Sequence, residues 1–287
     1  MDDELNPAST DRDSRLTRRG FSTVAMATGV ALAGQALAAE VVETDVSIAT
    51  ADGTCDAAFF HPAGKGAWPA VVIFTDIIGL RPAFRDMGRR MAAEGYAVLV
   101  PNPFYRTRKA PVLSGPFDFS NPTDRAKLTE LTAPLTTPAK ATDAAAYVAW
   151  LDRQPQVNAK KKIGVQGYCM GGPYSFIAAA NHPTRVGAAG SFHGGGLVTD
   201  KPDSPHLMAP RAKAAFLVAI AENDNAKQPD AKDKLKAAFA AAKLPATVEV
   251  YAGAQHGWCV KDGAVYNPVQ AEKAWTALTA LYKKSLG

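Results

Sequence analysis

The chain has 287 residues, 47% hydrophobic, 21% charged and 8% aromatic, with a formal net charge of +5. That profile excludes a disordered, fibrous or polytopic membrane chain. No Lys/Arg block is interleaved with aromatics, and Lys160-Lys161-Lys162 reads as a solvated turn before a strand, so nucleic acid is not an expected partner.

The first 39 residues differ from the rest. A polar stretch leads to Thr17-Arg18-Arg19-Gly20-Phe21, then to a modest run of small and apolar residues ending in Ala36-Leu37-Ala38. Paired arginines ahead of such a run and an A-x-A-like site predict a twin-arginine-type export signal, hence a periplasmic or extracellular protein. The run is short and rich in Gly and Ala, poor material for spanning about 30 Å of hydrocarbon, so no stable membrane span is expected after processing. Removing four basic and five acidic residues with it moves the net charge from +5 to +6, a mild field able to draw small anions.

Residues 40–287 are expected to form a single domain. Two β-type runs, VVETDVSIAT and TCDAAFFHP, flank Asp52-Gly53 and predict an antiparallel edge hairpin. The continuous apolar run AVVIFTD predicts a strand buried on both faces. RPAFRDMGRRMAAEG predicts a helix stopped by Gly95, and YAVLVPNP the next strand, before a Pro-rich loop. Helical stretches around 124–131 and 142–151 precede the strand KIGVQGYC and the helix GGPYSFIAAA. RVGAAGSF, AAFLVAIA and ATVEVYAG then read as strands, and KDKLKAAFAAAK and PVQAEKAWTALTALYKK as helices. This alternation predicts an α/β fold, a mostly parallel central sheet flanked by helices.

The chemical signal is Gly167-Tyr168-Cys169-Met170-Gly171, a G-x-C-x-G match between a predicted strand and a predicted helix. A sharp strand-to-helix turn lifts a nucleophile to the top of a sheet, and glycines flank it because side chains there would collide with strand or helix. Cys169 would sit near a helix N-terminus, where the dipole favours a thiolate. The other reading is a buried structural cysteine beside a Gly-rich turn. The order of partners favours the first. AAFLVAIAENDNA ends in acids, and His256 follows the strand ATVEVYAG, so Asp224 and His256 complete a Cys-His-Asp set. Glu222 and Asp230 are the rival acids, and Asp224 is preferred for its place in the turn after the strand. His61, His182 and His206 each neighbour a proline and read as surface residues. His193, in SFHGGG, competes with His256 and is expected to line the pocket, but it precedes the acid in the chain. Backbone N–H groups of Ile77 and Met170 are the expected oxyanion donors. Cys55 and Cys259 read as packing residues, and no cysteine pair has metal-ligand spacing. No metal or cofactor is implied.

FTDIIGL, VPNPFYR, GYCMGG, the acid after VAIA, and YAGAQHG together resemble the dienelactone hydrolase family, over nearly all of the chain beyond residue 39. The resemblance implies the α/β-hydrolase fold, a triad of Cys169, Asp224 and His256, and hydrolysis of an enol-lactone to an open-chain keto acid. Asp76 matches a family glutamate that helps deprotonate the cysteine; alternatively it caps the following helix. With Asp76 in that role, the resting Cys169 is expected to be held largely as a neutral thiol. Arg106, with Arg108 close by, matches an arginine that binds the substrate carboxylate. A second family arginine has no counterpart, since HGWCVKDG offers only Val260 and Lys261. Trp258, beside His256, is expected to shape the pocket. The expected partner is a small lactone or ester, anionic if Arg106 binds it, with the protein a monomer or small homo-oligomer. The alternatives are a general carboxylesterase or thioesterase, or a non-catalytic thiol-based binding or sensing protein.

Overall fold

The computed structural model describes residues 40–113, 117–118 and 120–287. The expected export signal lies outside them. Eight strands form one sheet in the order β1-β2-β4-β3-β5-β6-β7-β8. β1 (Val41–Thr50) and β2 (Gly53–Pro62) pair antiparallel in a register that sets Thr50 opposite Gly53, so the turn is Ala51-Asp52. Gly53, at φ +138°, opens the second strand. β2 pairs antiparallel with β4 (Ala97–Pro101), and every later pairing is parallel.

The parallel strands are β3 (Ala70–Phe74), β4, β5 (Ile163–Tyr168), β6 (Val186–Phe192), β7 (Ala215–Ala221) and β8 (Ala246–Tyr251). All residues of β3, β4 and β5 are buried, the polar Gln166 of β5 included, as expected of strands that helices cover on both faces. Alternation divides the core. Val72, Leu99, Val165 and Phe216 pack toward α3 (Thr137–Leu151), α4 (Gly172–Asn181) and α6 (Ala231–Ala241). Val71, Val98 and Leu217 pack toward α1 (Pro82–Ala93) and α7 (Pro268–Ser285).

Two helices differ from expectation. α3 begins five residues early because Thr136 caps it, accepting from the Ala139 N–H at 3.2 Å, with Pro138 in the first turn. The acidic segment after β7, expected to be a turn, is the short helix α5 (Glu222–Lys227), with Glu222 and Asp224 in its first turn, where negative charge suits the macrodipole. The helix α2 (Pro122–Thr132) covers the expected stretch. Among the described residues no helix is long and apolar enough to cross a membrane.

The strand order reverses at β3, which has β4 on one side and β5 on the other. Open α/β sheets bind ligands at the carboxyl ends of strands flanking such a switch point. Asp76, Cys169, His193, Asp224 and His256 all lie within a few residues of the carboxyl ends of β3, β5, β6, β7 and β8.

Candidate active site

Cys169 opens a 3-10 turn (Cys169–Gly171) between β5 and α4, at φ +52°, a region that disfavours any side chain. A Cβ on Gly167 would stand 1.8 Å from the Gly171 carbonyl oxygen, and one on Gly171 2.4 Å from the Phe74 carbonyl oxygen. The turn thus exists because backbone packs on backbone there. Cys169 is half-buried, whereas Cys55 and Cys259 are buried. The Cys55 thiol contacts the Asn102 carbonyl and the Tyr147 hydroxyl, and burial pushes it up to about 12. Burial likewise holds the Cys259 thiol well above its usual range.

His256 lies in the loop after β8. Its backbone N–H donates to Asn223 Oδ1 at 2.9 Å, and its Nδ1 donates to Asp224 Oδ2 at 2.6 Å. That fixes the tautomer and leaves Nε2 for Cys169. The hydrogen bond to Asp224, and then the one to the Cys169 sulfur, raise His256 to about 10. The rival acids are engaged elsewhere. Glu222 accepts from the Gly253 N–H at 3.2 Å, and Asp230 pairs with Lys234 at 2.7 Å. Asn223, which no motif marked, holds the histidine loop.

His193 sits at φ +40° just after β6 and is 1% exposed. Its ring meets His256 edge-on, with centroids 5.0 Å apart. Burial, then the neighbouring His256, hold it well below the usual imidazole range, so it is neutral at physiological pH. It lines the cavity above Cys169. Trp258 does not. It is fully buried, stacked on Tyr251 at 5.3 Å and edge-on to His193 at 5.1 Å, and so backs the histidine instead of touching a substrate.

The cavity holds about 580 Å³, within the range of small-molecule sites. Ile77, Ile78, Leu113, Phe117, Val260 and Val265 supply apolar walls; Cys169, His193 and His256 supply a thiol and two imidazoles. The Ile77 N–H makes no hydrogen bond among the described residues. Met170 is the second residue of the 3-10 turn, where an N–H has no partner within the turn. Its side chain packs against the cluster of Phe104, Val112 and Leu131.

Asp76 is also in the wall, and its carboxylate does not cap α1. Oδ1 accepts from the Ile78 N–H at 2.9 Å and from Arg81 Nη1 at 2.7 Å, and Oδ2 accepts from Arg81 Nη2 at 2.9 Å. The N-cap of α1 is Arg81, with no side-chain cap. Arg81 is the charged wall residue that sequence reasoning missed. A bond between residues 181 apart, Arg81 Nε to Asp262 Oδ2 at 2.7 Å, leaves no local pattern to find.

Arg106 is not at the cavity. Nη1 and Nη2 each donate at 2.8 Å to the two oxygens of Asp143, a carboxylate with no exposure, while Nε and Nη2 donate to Asp52 in the hairpin turn. A buried carboxylate needs a cation, and Arg106 supplies it, tying α3 to the edge hairpin. Arg106→Ala is therefore expected to lose about 3 kcal/mol of stability, with kcat/KM unchanged at permissive temperature. Urea unfolding checks the first part, and Arg106→Met with Asp143→Leu recovers most of the loss. Among the described residues the Arg108 guanidinium donates only to the Val112 carbonyl, at 3.5 Å, and Lys261 lines a separate small cleft beside Glu272.

The sheet order, the elbow after β5, the acid after β7 and the histidine after β8 define the α/β-hydrolase class. The model of the dienelactone hydrolase family matches residues 55–286, and the chain belongs to that family. Similar proteins include one from Methylorubrum extorquens named "Putative carboxymethylenebutenolidase", 26% identical over 94% of this chain and 93% of its own. An Escherichia coli K12 protein of the same name is 26% identical over 76% of this chain and 78% of its own. Among solved structures, the dienelactone hydrolase of Anabaena variabilis superposes with a TM-score of 0.63 at 17% identity, over 86% of this chain and 99% of that one.

Proposed function

We propose that this chain hydrolyses a lactone or carboxylic ester through an acyl-cysteine intermediate, as an exported enzyme. The observation that carries this reading is the 2.6 Å bond from His256 Nδ1 to Asp224, which turns the other imidazole nitrogen to Cys169. A thiol that only senses or binds has no use for that arrangement. The names of the relatives support a lactone substrate of the carboxymethylenebutenolide type, and the twin arginine before an apolar run supports export.

With the thiol proton of Cys169 passed to His256 Nε2, the sulfur attacks the carbonyl carbon, and the carbonyl oxygen takes up the electron pair of its double bond, facing the N–H groups of Ile77 and Met170. As the C–O bond breaks, His256 gives its Nε2 proton to the leaving alkoxide. Water then gives a proton to His256 and attacks the thioester. The acid departs, and the sulfur keeps its electron pair. Asp224 holds the Nδ1 proton throughout and stabilises the imidazolium. His193, neutral and edge-on, restricts the ring without competing for that charge.

Rapid quenching during turnover of 4-nitrophenyl acetate is expected to trap an acetyl increment on the peptide that carries Cys169, detected by mass spectrometry. Turnover without acylation of Cys169 would sink the reading. Because His256 keeps its proton up to about pH 10, kcat/KM is expected to fall on the alkaline side only near that value, where the leaving alkoxide loses its acid.

A further inference from the structure

A carboxymethylenebutenolide carries, besides its lactone carbonyl, a carboxylate on the exocyclic arm, and a carboxylate leaving water needs a cation. Arg106 is engaged by the buried Asp143, and Lys261 lies in another cleft. His256 supplies one positive charge to the cavity, but it is bonded to Asp224 and turned to the Cys169 sulfur, where the carbonyl reacts. Among the described residues Arg81 is the sole Lys or Arg in the cavity wall. Its guanidinium stands over the Phe84 ring at 5.0 Å, and the side chain is 12% exposed. The two edges of that guanidinium are held differently. Nη1 and Nη2 donate to the two oxygens of Asp76 at 2.7 and 2.9 Å, and this carboxylate, itself 12% exposed, also accepts from the Ile78 N–H. Nε and Nη2 donate to the two oxygens of Asp262 at 2.7 and 3.0 Å. The Asp262 carboxylate is 46% exposed and makes no other hydrogen bond among the described residues.

We infer that Arg81 anchors the substrate carboxylate, and that Asp262 occupies the outer edge of this anchor in the free enzyme and leaves it when the substrate arrives. The inference rests on the hydrolase reading above and deepens it. The Nε and Nη2 edge of a guanidinium is a fork that fits a carboxylate with two parallel bonds, and Asp262 shows one already seated there. Asp262 is the partner that yields. An ion pair to a half-exposed carboxylate is weakly held, and the released group passes into water. Asp76 stays, since it is enclosed and also bonded to backbone. The exchange sets one carboxylate in place of another, so the charge around Arg81 is unchanged and no guanidinium donor is left bare. The lactone end then has Cys169 and His256 in the same cavity of about 580 Å³.

The test uses binding, so that it does not depend on turnover. A saturated γ-lactone with a carboxymethyl arm beside the ring oxygen, and the methyl ester of that arm, are titrated calorimetrically into Cys169→Ala, which lacks the attacking sulfur. The acid is expected to bind at least about threefold tighter than its methyl ester. Asp262→Ala in the same background is expected to raise that preference about fivefold or more, because the outer edge of Arg81 is then vacant. Arg81→Met is expected to remove the preference. That variant also leaves Asp76 without its cation and is the one at risk in folding, whereas Asp262→Ala keeps the Asp76–Arg81 pair. A ratio of two dissociation constants on one protein does not depend on the folded fraction. Equal or weaker binding of the acid to Cys169→Ala, or an unchanged or lower preference once Asp262 is removed, would overturn the inference. Neither result touches the hydrolase reading, which depends on acylation of Cys169. A preference for the acid in a protein whose Cys169 is never acylated would remove that reading alone.

Discussion

Cys169→Ala is expected to lower kcat by at least about a thousandfold on every ester the enzyme accepts, without loss of stability. The chemical part follows from the geometry. His256 and Asp224 remain bonded in the variant, and the oxyanion donors are backbone groups, so what disappears is the one atom that forms the acyl bond. The stability part follows from φ +52° at this position. Alanine suffers the same left-handed strain as cysteine, and deleting one half-buried sulfur costs little. Cys169→Gly goes further, because glycine adopts positive φ freely. It is expected to be as inactive as the alanine variant but more stable by about 1 kcal/mol in thermal or urea unfolding. A glycine variant less stable than the alanine one would mean that the turn is not strained at the nucleophile. The prediction is thus that the reactive residue is held where it is at a cost to the fold, a relation between stability and activity that a merely structural cysteine would not show.

How much of this arrangement was legible in the sequence depended on the range of the physical cause. The elbow was readable because its cause is local: glycines at 167 and 171 around a cysteine, between a strand pattern and a helix pattern. His256 was readable because it follows a strand at a fixed offset. Asp224 was readable as the preferred one of three acids, though it stands in a short helix and not in a turn, and its 2.6 Å bond to His256 is what singles it out. Arg106 shows the opposite case. Its match to a family arginine placed it at the substrate, but its partner Asp143 lies within α3, and a helical sequence rich in alanine gives no sign that one carboxylate in it will be completely buried. The Asp76–Arg81–Asp262 cluster was invisible for the same reason, since it joins the loop after β3 to the loop after His256. The apolar character of Trp258 was evident, but not the face it presents, because β8 and its loop turn the indole behind His193.

Gly171→Ala is expected to be among the most damaging substitutions outside the reactive groups, with a loss of about 4 kcal/mol or more, enough to keep a domain of ordinary stability from accumulating in soluble form. Its Cβ would stand 2.4 Å from the Phe74 carbonyl oxygen and 2.6 Å from that of Thr75. These atoms are backbone at the end of β3, so no side-chain rotation relieves the clash. Gly195→Ala is the control, since a Cβ there meets nothing within 4 Å, and its effect should stay within about 0.5 kcal/mol. Soluble Gly171→Ala protein with unfolding equal to native would refute the close approach. The same contact carries the chemistry. Phe74 and Thr75 lead directly into Asp76 and Ile77, so the approach that excludes a methyl group from Gly171 also sets Ile77, whose N–H is an oxyanion donor in the proposed mechanism, in the wall of the cavity that holds Cys169. Any folded fraction of the variant, with β3 pushed away from the elbow, would keep Cys169, His256 and Asp224 yet lose the oxyanion donor. It should therefore acylate far more slowly than native enzyme while its Cys169 still reacts with an alkylating reagent, which needs no oxyanion site.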